Sequence, residues 1–436
     1  MEWNVIAMVS VIKASQAVSG GEHTLIRTTN GVVYSSGACG LNWCRSKKMY
    51  SSLYGWRQVK PTLPVRFSHL HASFYHNLAI STTGTVYSWG CGTFVDGSND
   101  GIIPALGPNT SQDLGGPPVT VPVPGKAVAV TGGAYHSVVL NEAGAVYTFG
   151  ANQLGQLGRS LSSKAGVDGA GLPIDAYPHA VEGIDKSESV RTIGAAFYNT
   201  FVVCKSGALY CSGENQNAQC GQGKKNLHVM ERVHELKNTK VVKAVGGYCH
   251  NLFLDDQGCV HSMGCGDEGN RGNGVPEEKY EDEESKRPIT NQIQLPSGER
   301  AVDIACGANH SIILGRDHVY TFGSNEYGQL GLKTGLNDRE HENDENEEKD
   351  DDEDGEENPS CVLSPTRVCL PLDAGKVVSA SGGYAHTTLF CENGNVYTFG
   401  NNENGQLGLG SEEGMRTECV CVPFKVNEEL NSSKIT

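Results

Sequence analysis

Gly132-Gly133-Ala134-Tyr135-His136-Ser137-Val138-Val139-Leu140 runs through Gly144 into Val146-Tyr147-Thr148-Phe149-Gly150 and ends in Asn152-Gln153-Leu154-Gly155-Gln156-Leu157-Gly158. Two short runs of β-branched and aromatic residues, joined by a turn with a glycine free to take positive φ, predict a β-hairpin. The stretch recurs almost verbatim over residues 382–408, anchored on His386. Looser copies centre on His23, His76, Asn199, His250 and His310, so there are seven anchors.

The internal register is strict. Glycine lies eight residues after the anchor at Gly31, Gly84, Gly144, Gly207, Gly258 and Gly394, and fourteen after it at Gly37, Gly90, Gly150, Gly213, Gly264 and Gly400. The sixth copy has lost one residue in its turn, so His318 sits where the turn glycine belongs and Gly323 arrives early. Upstream of each anchor lies another β-rich piece, and proline-led segments precede several of these. Each unit therefore offers four short strands. A mean anchor spacing of about 60 residues fits a four-stranded propeller blade with variable loops better than a solenoid rung.

The expected fold is all-β: a seven-bladed β-propeller of four-stranded blades, with the ring closed by N- and C-terminal strands. The segment Val422-Pro423-Phe424-Lys425-Val426 reads as an opening strand that shares a blade with the N-terminal strands, which would leave no free edge. The whole of residues 1–436 then forms one domain, with a disordered acidic insertion at about 336–358 and a long loop at about 91–124.

Composition agrees. The 55 glycines among 436 residues are in excess without a Gly-X-Y period, as many tight turns require, and 38% hydrophobic residues suffice for a core. Net charge is −16, of which −12 falls in residues 336–360, with 14 acidic and 2 basic residues. That balance argues against direct DNA binding through phosphate neutralisation. No run of about 20 apolar residues could span a bilayer. Fifteen cysteines without a CxxC argue for a reducing compartment and for cysteines acting as small buried hydrophobes, Cys211 and Cys249 among them. A cytoplasmic or nuclear, non-secreted monomer is expected.

The pattern Gly-Gly-x-x-His-[Ser/Thr], Gly-x-Val-Tyr-[Ser/Thr]-[Phe/Trp]-Gly, Asn-x-x-Gly-Gln-Leu-Gly resembles the repeat of the regulator of chromosome condensation family. The resemblance covers essentially residues 18–408, with Ala72-Ser73 replacing the glycine pair in copy two and Asn199 replacing the histidine in copy four. It implies a seven-bladed propeller. It also implies one activity, guanine-nucleotide exchange on a small GTPase such as Ran, which needs no acid or base residue. Many relatives resemble non-catalytic scaffolds instead. The basic N-terminal tail of the chromatin-docking version has no counterpart here, where Glu2 opens the chain. A light-sensing plant relative uses a tryptophan cluster. The residues preceding the anchors here are Glu22, Tyr75, Tyr135, Tyr198, Cys249, Asn309 and Ala385, none of them tryptophan.

Six histidines at one repeat position, spread one per blade, cannot converge on a common metal ion at about 2.1 Å. They are expected to tie the turn to the strand start within their own blades. Gly264-Cys265-Gly266-Asp267-Glu268-Gly269 matches GxGxxG but no helical pattern follows it, and no P-loop, GxSxG elbow or HExxH is present. No cofactor, metal or covalent catalytic site is therefore expected. The remaining candidates lie in insertions, where a propeller is free to vary. Trp56 and Arg57 in the first and Phe94, Asp96, Asp100 and Ile102 in the second form the candidate partner-binding set. The expected function is a non-catalytic scaffold or adaptor for a protein partner, a basic protein or a small GTPase, with exchange activity as the alternative. Replacing residues 336–358 by a Gly/Ser linker is expected to leave the melting temperature nearly unchanged in a thermal scan, since a run of repelling carboxylates buries no core.

Overall fold

The computed structural model describes residues 13–38, 55–90, 104–108, 117–168, 171–221, 223, 225–276, 289–332, 360–410 and 415–421. Seven antiparallel blades succeed one another around a ring. Blade one holds β1 (Ala14–Ser19), β2 (His23–Thr28), β3 (Val33–Gly37) and β4 (Arg57–Gln58), in that order from the axis outward. The last blade repeats the plan with β26 (Val377–Gly382), β27 (His386–Cys391), β28 (Val396–Gly400) and β29 (Arg416–Cys421). Among the described residues blade three alone adds a fifth strand, the short β12 (Gly166–Val167), at its outer edge. The described helices are three single 3-10 turns, and none is long and apolar enough to cross a membrane.

The second strand of each blade begins on an anchor, and the anchor pairs with the glycine that ends the third strand, fourteen residues on as in His136 with Gly150 and His386 with Gly400, or thirteen on in blade six, His310 with Gly323. Gly150 has φ +124°, and a Cβ there would lie 2.7 Å from the His136 Cα, so only glycine closes the hairpin at this point. In blade six the shortened turn is held from outside. The Glu299 carboxylate accepts from the Asp317 N–H (2.8 Å) and the Tyr320 hydroxyl (2.6 Å) and meets His318 Nδ1 (3.0 Å). Burial alone would raise that carboxyl, but these bonds outweigh it and bring it down to about 2.

The core does not lie within blades. Seven of the apolar clusters sit at the seven junctions between neighbours, each drawing residues from two blades. At three junctions a third-strand phenylalanine faces the last glycine of the preceding blade's loop: Phe149 on Gly107, Phe322 on Gly272 and Phe399 on Gly331. Blade one carries Ser36 at this position. Trp56, half-buried, reaches in from the connection before β4 and lays its ring on Gly408 instead.

The ring is closed by β1 against the last blade, and no described blade is shared between the termini. Arg57–Gln58 and Arg416–Cys421 fill the outer positions that the shared-blade expectation left open, and residues 422–426 lie outside the described residues. The loop expected over 91–124 is partly blade as well. Val119–Val121 is the outer strand of blade two, and Ala105-Leu106-Gly107 stands where other blades have Gln-Leu-Gly. The cysteines also depart from expectation. Cys211 is joined to Cys220 and Cys249 to Cys265, with Cα separations of 5.8 and 5.6 Å. These are local links inside single blades.

Trp56→Ala is expected to lower unfolding free energy by about 2–3 kcal/mol, somewhat less than for a fully buried ring. Arg57→Ala, on the exposed outer strand, is expected to stay within about 0.5 kcal/mol. Paired denaturant titrations check both, and equal effects would refute the packing role of Trp56.

Candidate functional site

The anchors bond across junctions, and this corrects the expectation that each serves its own blade. The Nε2 atom of His23 meets Asn77 Oδ1 of the next blade (2.6 Å), and His76 meets Ser137 (2.8 Å), His136 Thr200 (3.0 Å), His250 Ser311 (3.0 Å) and His310 Thr387 (2.9 Å). His386 closes the circle on Thr24 (3.1 Å). Each hydroxyl donates its single proton to a carbonyl, as Thr200 to Gln156 O (2.6 Å) and Thr387 to Gln329 O (2.7 Å). The hydroxyl must therefore accept from imidazole, which fixes the proton on Nε2. The Nδ1 atoms of all six meet no hydrogen-bond partner among the described residues.

A second proton on Nδ1 would be a buried charge without an acceptor. Burial accordingly holds His23, His136 and His250 down to about 4, and His76, His310 and His386 down to about 3. Such groups cannot shuttle protons at neutral pH. Among the described residues no group of three or more His, Cys, Asp or Glu could hold a metal ion. The GxGxxG match at Gly264 runs into a loop, with Cys265 bonded to Cys249.

The first strands of all seven blades enclose an axial channel with a volume of about 570 Å³. Polar contacts across blades line it, among them Lys243 with Asp303 (2.5 Å) and Gln16 with the Leu70 backbone. Aromatic rings from the two positions before the anchors gather at one mouth. Tyr384, Phe74, Phe197 and Tyr248 form a continuous row with centroid separations of 6.0, 4.3 and 4.8 Å, and Tyr75 stacks on Tyr135 at 5.1 Å. Tyr198 joins through Phe197. Backbone bonds beneath them run from blade to blade, such as Tyr248 N–H to Ala308 O (2.8 Å) and Tyr384 N–H to Gly21 O (2.9 Å). Tyr135 and Phe197 are buried and Phe74, Tyr75 and Tyr198 half-buried, whereas the two ends of the row, Tyr248 at 48% and Tyr384 at 54%, are open.

The cap is edged with carboxylates. Glu22 is raised above the usual carboxyl range by burial and by neighbouring Glu403, and Glu214 by burial. Burial, Tyr248 and Glu214 together push the Tyr198 phenol up to about 12. Glu268 accepts from Asn309 Nδ2 (2.9 Å) at the same mouth. Every connection from third to fourth strand also leaves and re-enters on this face. That of blade three is pinned by buried Arg159, whose guanidinium donates to Asp175 Oδ2 (2.9 Å) and Thr148 O (2.9 Å).

Of the residues marked from sequence, the six histidines serve the junctions, while Asn199 bonds carbonyls of its own blade, Glu214 O at 2.7 Å. Trp56 packs in the closing junction, Arg57 is exposed, and Phe94, Asp96, Asp100 and Ile102 lie outside the described residues. The aromatic cap was missed. Its signal was present in the two pre-anchor positions, which carry Phe or Tyr at seven of fourteen places.

The anchors make stability depend on pH. Above about pH 6.5 histidine is neutral folded or unfolded and contributes no slope. Below it the unfolded chain takes up protons that the native state refuses, so stability falls by about 1.4 kcal/mol per pH unit for each histidine. Six together give about 8 kcal/mol per unit, which would consume an ordinary domain's stability within one or two units. Denaturant titrations from pH 7.5 to 4.5 should show this loss. Equal stability at pH 7.5 and 5 would rule out neutral buried anchors.

The repeat that decides the fold is matched by the family model described as the Regulator of chromosome condensation (RCC1) repeat, over residues 257–314, 316–390 and 393–436, and by a second RCC1 repeat model over 127–156, 301–329 and 377–406. The chain is 26% identical over 373 residues to the Ultraviolet-B receptor UVR8 of Arabidopsis thaliana, covering 78% of each chain. It is 25% identical to the Regulator of chromosome condensation of Xenopus laevis, covering 73% of this chain and 70% of that protein. In fold it is similar to yeast RCC1 (Prp20) as solved with Kap60, with a TM-score of 0.68 at 19% identity, over 94% of this chain and 87% of that one. Repeat, ring and relatives agree: the chain is a seven-bladed propeller built of regulator of chromosome condensation repeats.

Proposed function

We propose that this propeller is a non-catalytic interaction module that docks a protein partner on its capped face. The observation that carries the reading is a division of labour. The buried histidines and the hydroxyls they meet are committed to holding blades together, while the tyrosine rings at both ends of the cap are left open to solvent. A polar network spent on scaffold supports binding rather than acid-base chemistry.

The second reading is guanine-nucleotide exchange on a small GTPase, which the likeness to the Xenopus regulator favours. Exchange needs only a surface that competes for the nucleotide site, so a neutral scaffold does not oppose it. Purified protein mixed with a panel of small GTPases loaded with fluorescent GDP, Ran included, is expected to leave release rates close to basal. Acceleration of about 100-fold or more on any member would replace the scaffold reading with the exchange reading.

A further inference from the structure

We propose that the aromatic cap is the docking site for an arginine- or lysine-bearing segment of the partner, an inference that rests on the interaction reading above. Three observations converge on a cationic ligand.

The first is the ring geometry. The row from Tyr384 to Tyr248 crosses the channel mouth, with Phe74 and Phe197 at its centre fixed by edge-to-face contacts of 4.3–6.0 Å. Each end presents a half-exposed phenol on a rigid base, because the adjoining backbone is bonded to the next blade. A held aromatic face exposed to water is the surface on which guanidinium and ammonium groups stack.

The second is charge. Glu22 and Glu403 face each other at the junction next to Tyr384, where Tyr384 N–H bonds Gly21 O, and Glu214 acts on Tyr198 at the far side. No lysine or arginine occupies either pre-anchor position in any of the seven copies. Glu22 is displaced toward its neutral form by burial and by Glu403, and the Tyr198 phenol is held in its own by burial, Tyr248 and Glu214. An incoming cation relieves that repulsion, and an incoming anion aggravates it.

The third is placement. The cap lies on the face from which the chain runs into the acidic insertion after residue 332 and returns from it before Cys361–Arg367. An acidic sequence is therefore joined to the face that the cap occupies, and charge of that sign speeds encounter with a cationic ligand without adding contacts. A hydrophobic partner would use the rings but gain nothing from the carboxylates, so the cationic segment is the better fit.

The probe is a fluorescein-labelled peptide of Gly-Arg-Gly-Lys repeats, titrated with the full chain by fluorescence anisotropy, beside a counterpart with glutamine at every basic position. Only the basic peptide is expected to bind. Tyr248→Ala with Tyr384→Ala should weaken it about tenfold or more, and the phenylalanine pair Tyr248→Phe with Tyr384→Phe should retain it. Glu22→Gln with Glu403→Gln should weaken it and flatten its salt dependence. Replacing residues 336–358 by a Gly/Ser linker should slow association yet leave the tyrosine effect intact. Equal affinity for the glutamine peptide, or no measurable binding of the basic one, would overturn the proposal. So would a loss confined to the linker variant with the tyrosine variants unchanged; that result leaves the interaction reading standing on the insertion. Melting curves of each variant confirm that a loss of binding is not a loss of fold.

Discussion

No blade of this protein has a core of its own. Four short twisted strands bury too little surface to stand in water, and the apolar residues that they carry point sideways, toward the neighbouring blades. Everything else follows from that constraint. The second strand of each blade is packed on both sides, and in four blades it reads as six buried residues in a row, as in His136–Asn141 and Asn199–Cys204. Spacing between blades must then be set by something more directional than dispersion contacts. An imidazole that donates to a hydroxyl, which donates in turn to a loop carbonyl, is such a device, since its two bonds fix both distance and angle. The preceding glycine is part of it. A Cβ at Gly383 or Gly307 would strike the imidazole of His386 or His310, so in these blades glycine and histidine act as one steric unit, whereas blade two places Ser73 before His76.

The sequence made the recurrence legible and hid the contacts. A period identifies what repeats, and it fixed seven blades, the hairpin register and the glycine at each strand end. It carries no information on which copy a repeated side chain touches. That is why the histidines were read as serving their own blades, and why the tie between β1 and the final blade was assigned to residues beyond Cys421. Departures from the period were harder still. Ala105-Leu106-Gly107 supplies the carbonyls that Ser137 and Ser88 need, at 2.8 and 2.5 Å, but a long insertion separates it from its hairpin. Trp56 looked like an exposed insertion residue because the serine that it compensates, Ser36, lies twenty positions away in sequence.

The aromatic cap was hidden for a related reason. Its members stand at two repeat positions in five of the seven blades, and no single copy looks unusual. Only the closed ring brings Phe74 of blade two against Phe197 of blade four and Tyr384 of the last blade. A feature that exists only after closure is made by the scaffold and is not part of it. Rings placed for packing alone would also be expected to finish buried, as Phe197 does at 7% exposure, whereas the row continues outward to tyrosines that remain half in water.

The junctions that break the rule show that polar and apolar terms substitute for each other. Between blades four and five the imidazole is absent. Asn199 turns back to its own blade, and Ala196 stands where most copies have glycine. Half of the relay survives, as Asn251 Nδ2 donates to Gln219 O (2.8 Å), and the Cys211–Cys220 link stands where Thr148 of blade three uses a hydrogen bond to Leu157 O. Among the described residues this junction also holds the largest apolar cluster, twelve buried residues, against four where the last blade meets the first. The closing junction is rich in polar links: Ser19 to Thr388 (2.8 Å), Thr24 to Gln406 O (2.7 Å) and Ser36 to Gly405 O (2.7 Å), besides His386. A ring fails at its weakest junction, so selection acts on the sum at each one. A histidine can be lost where burial is ample, and a phenylalanine can become serine where a tryptophan from a loop restores the contact.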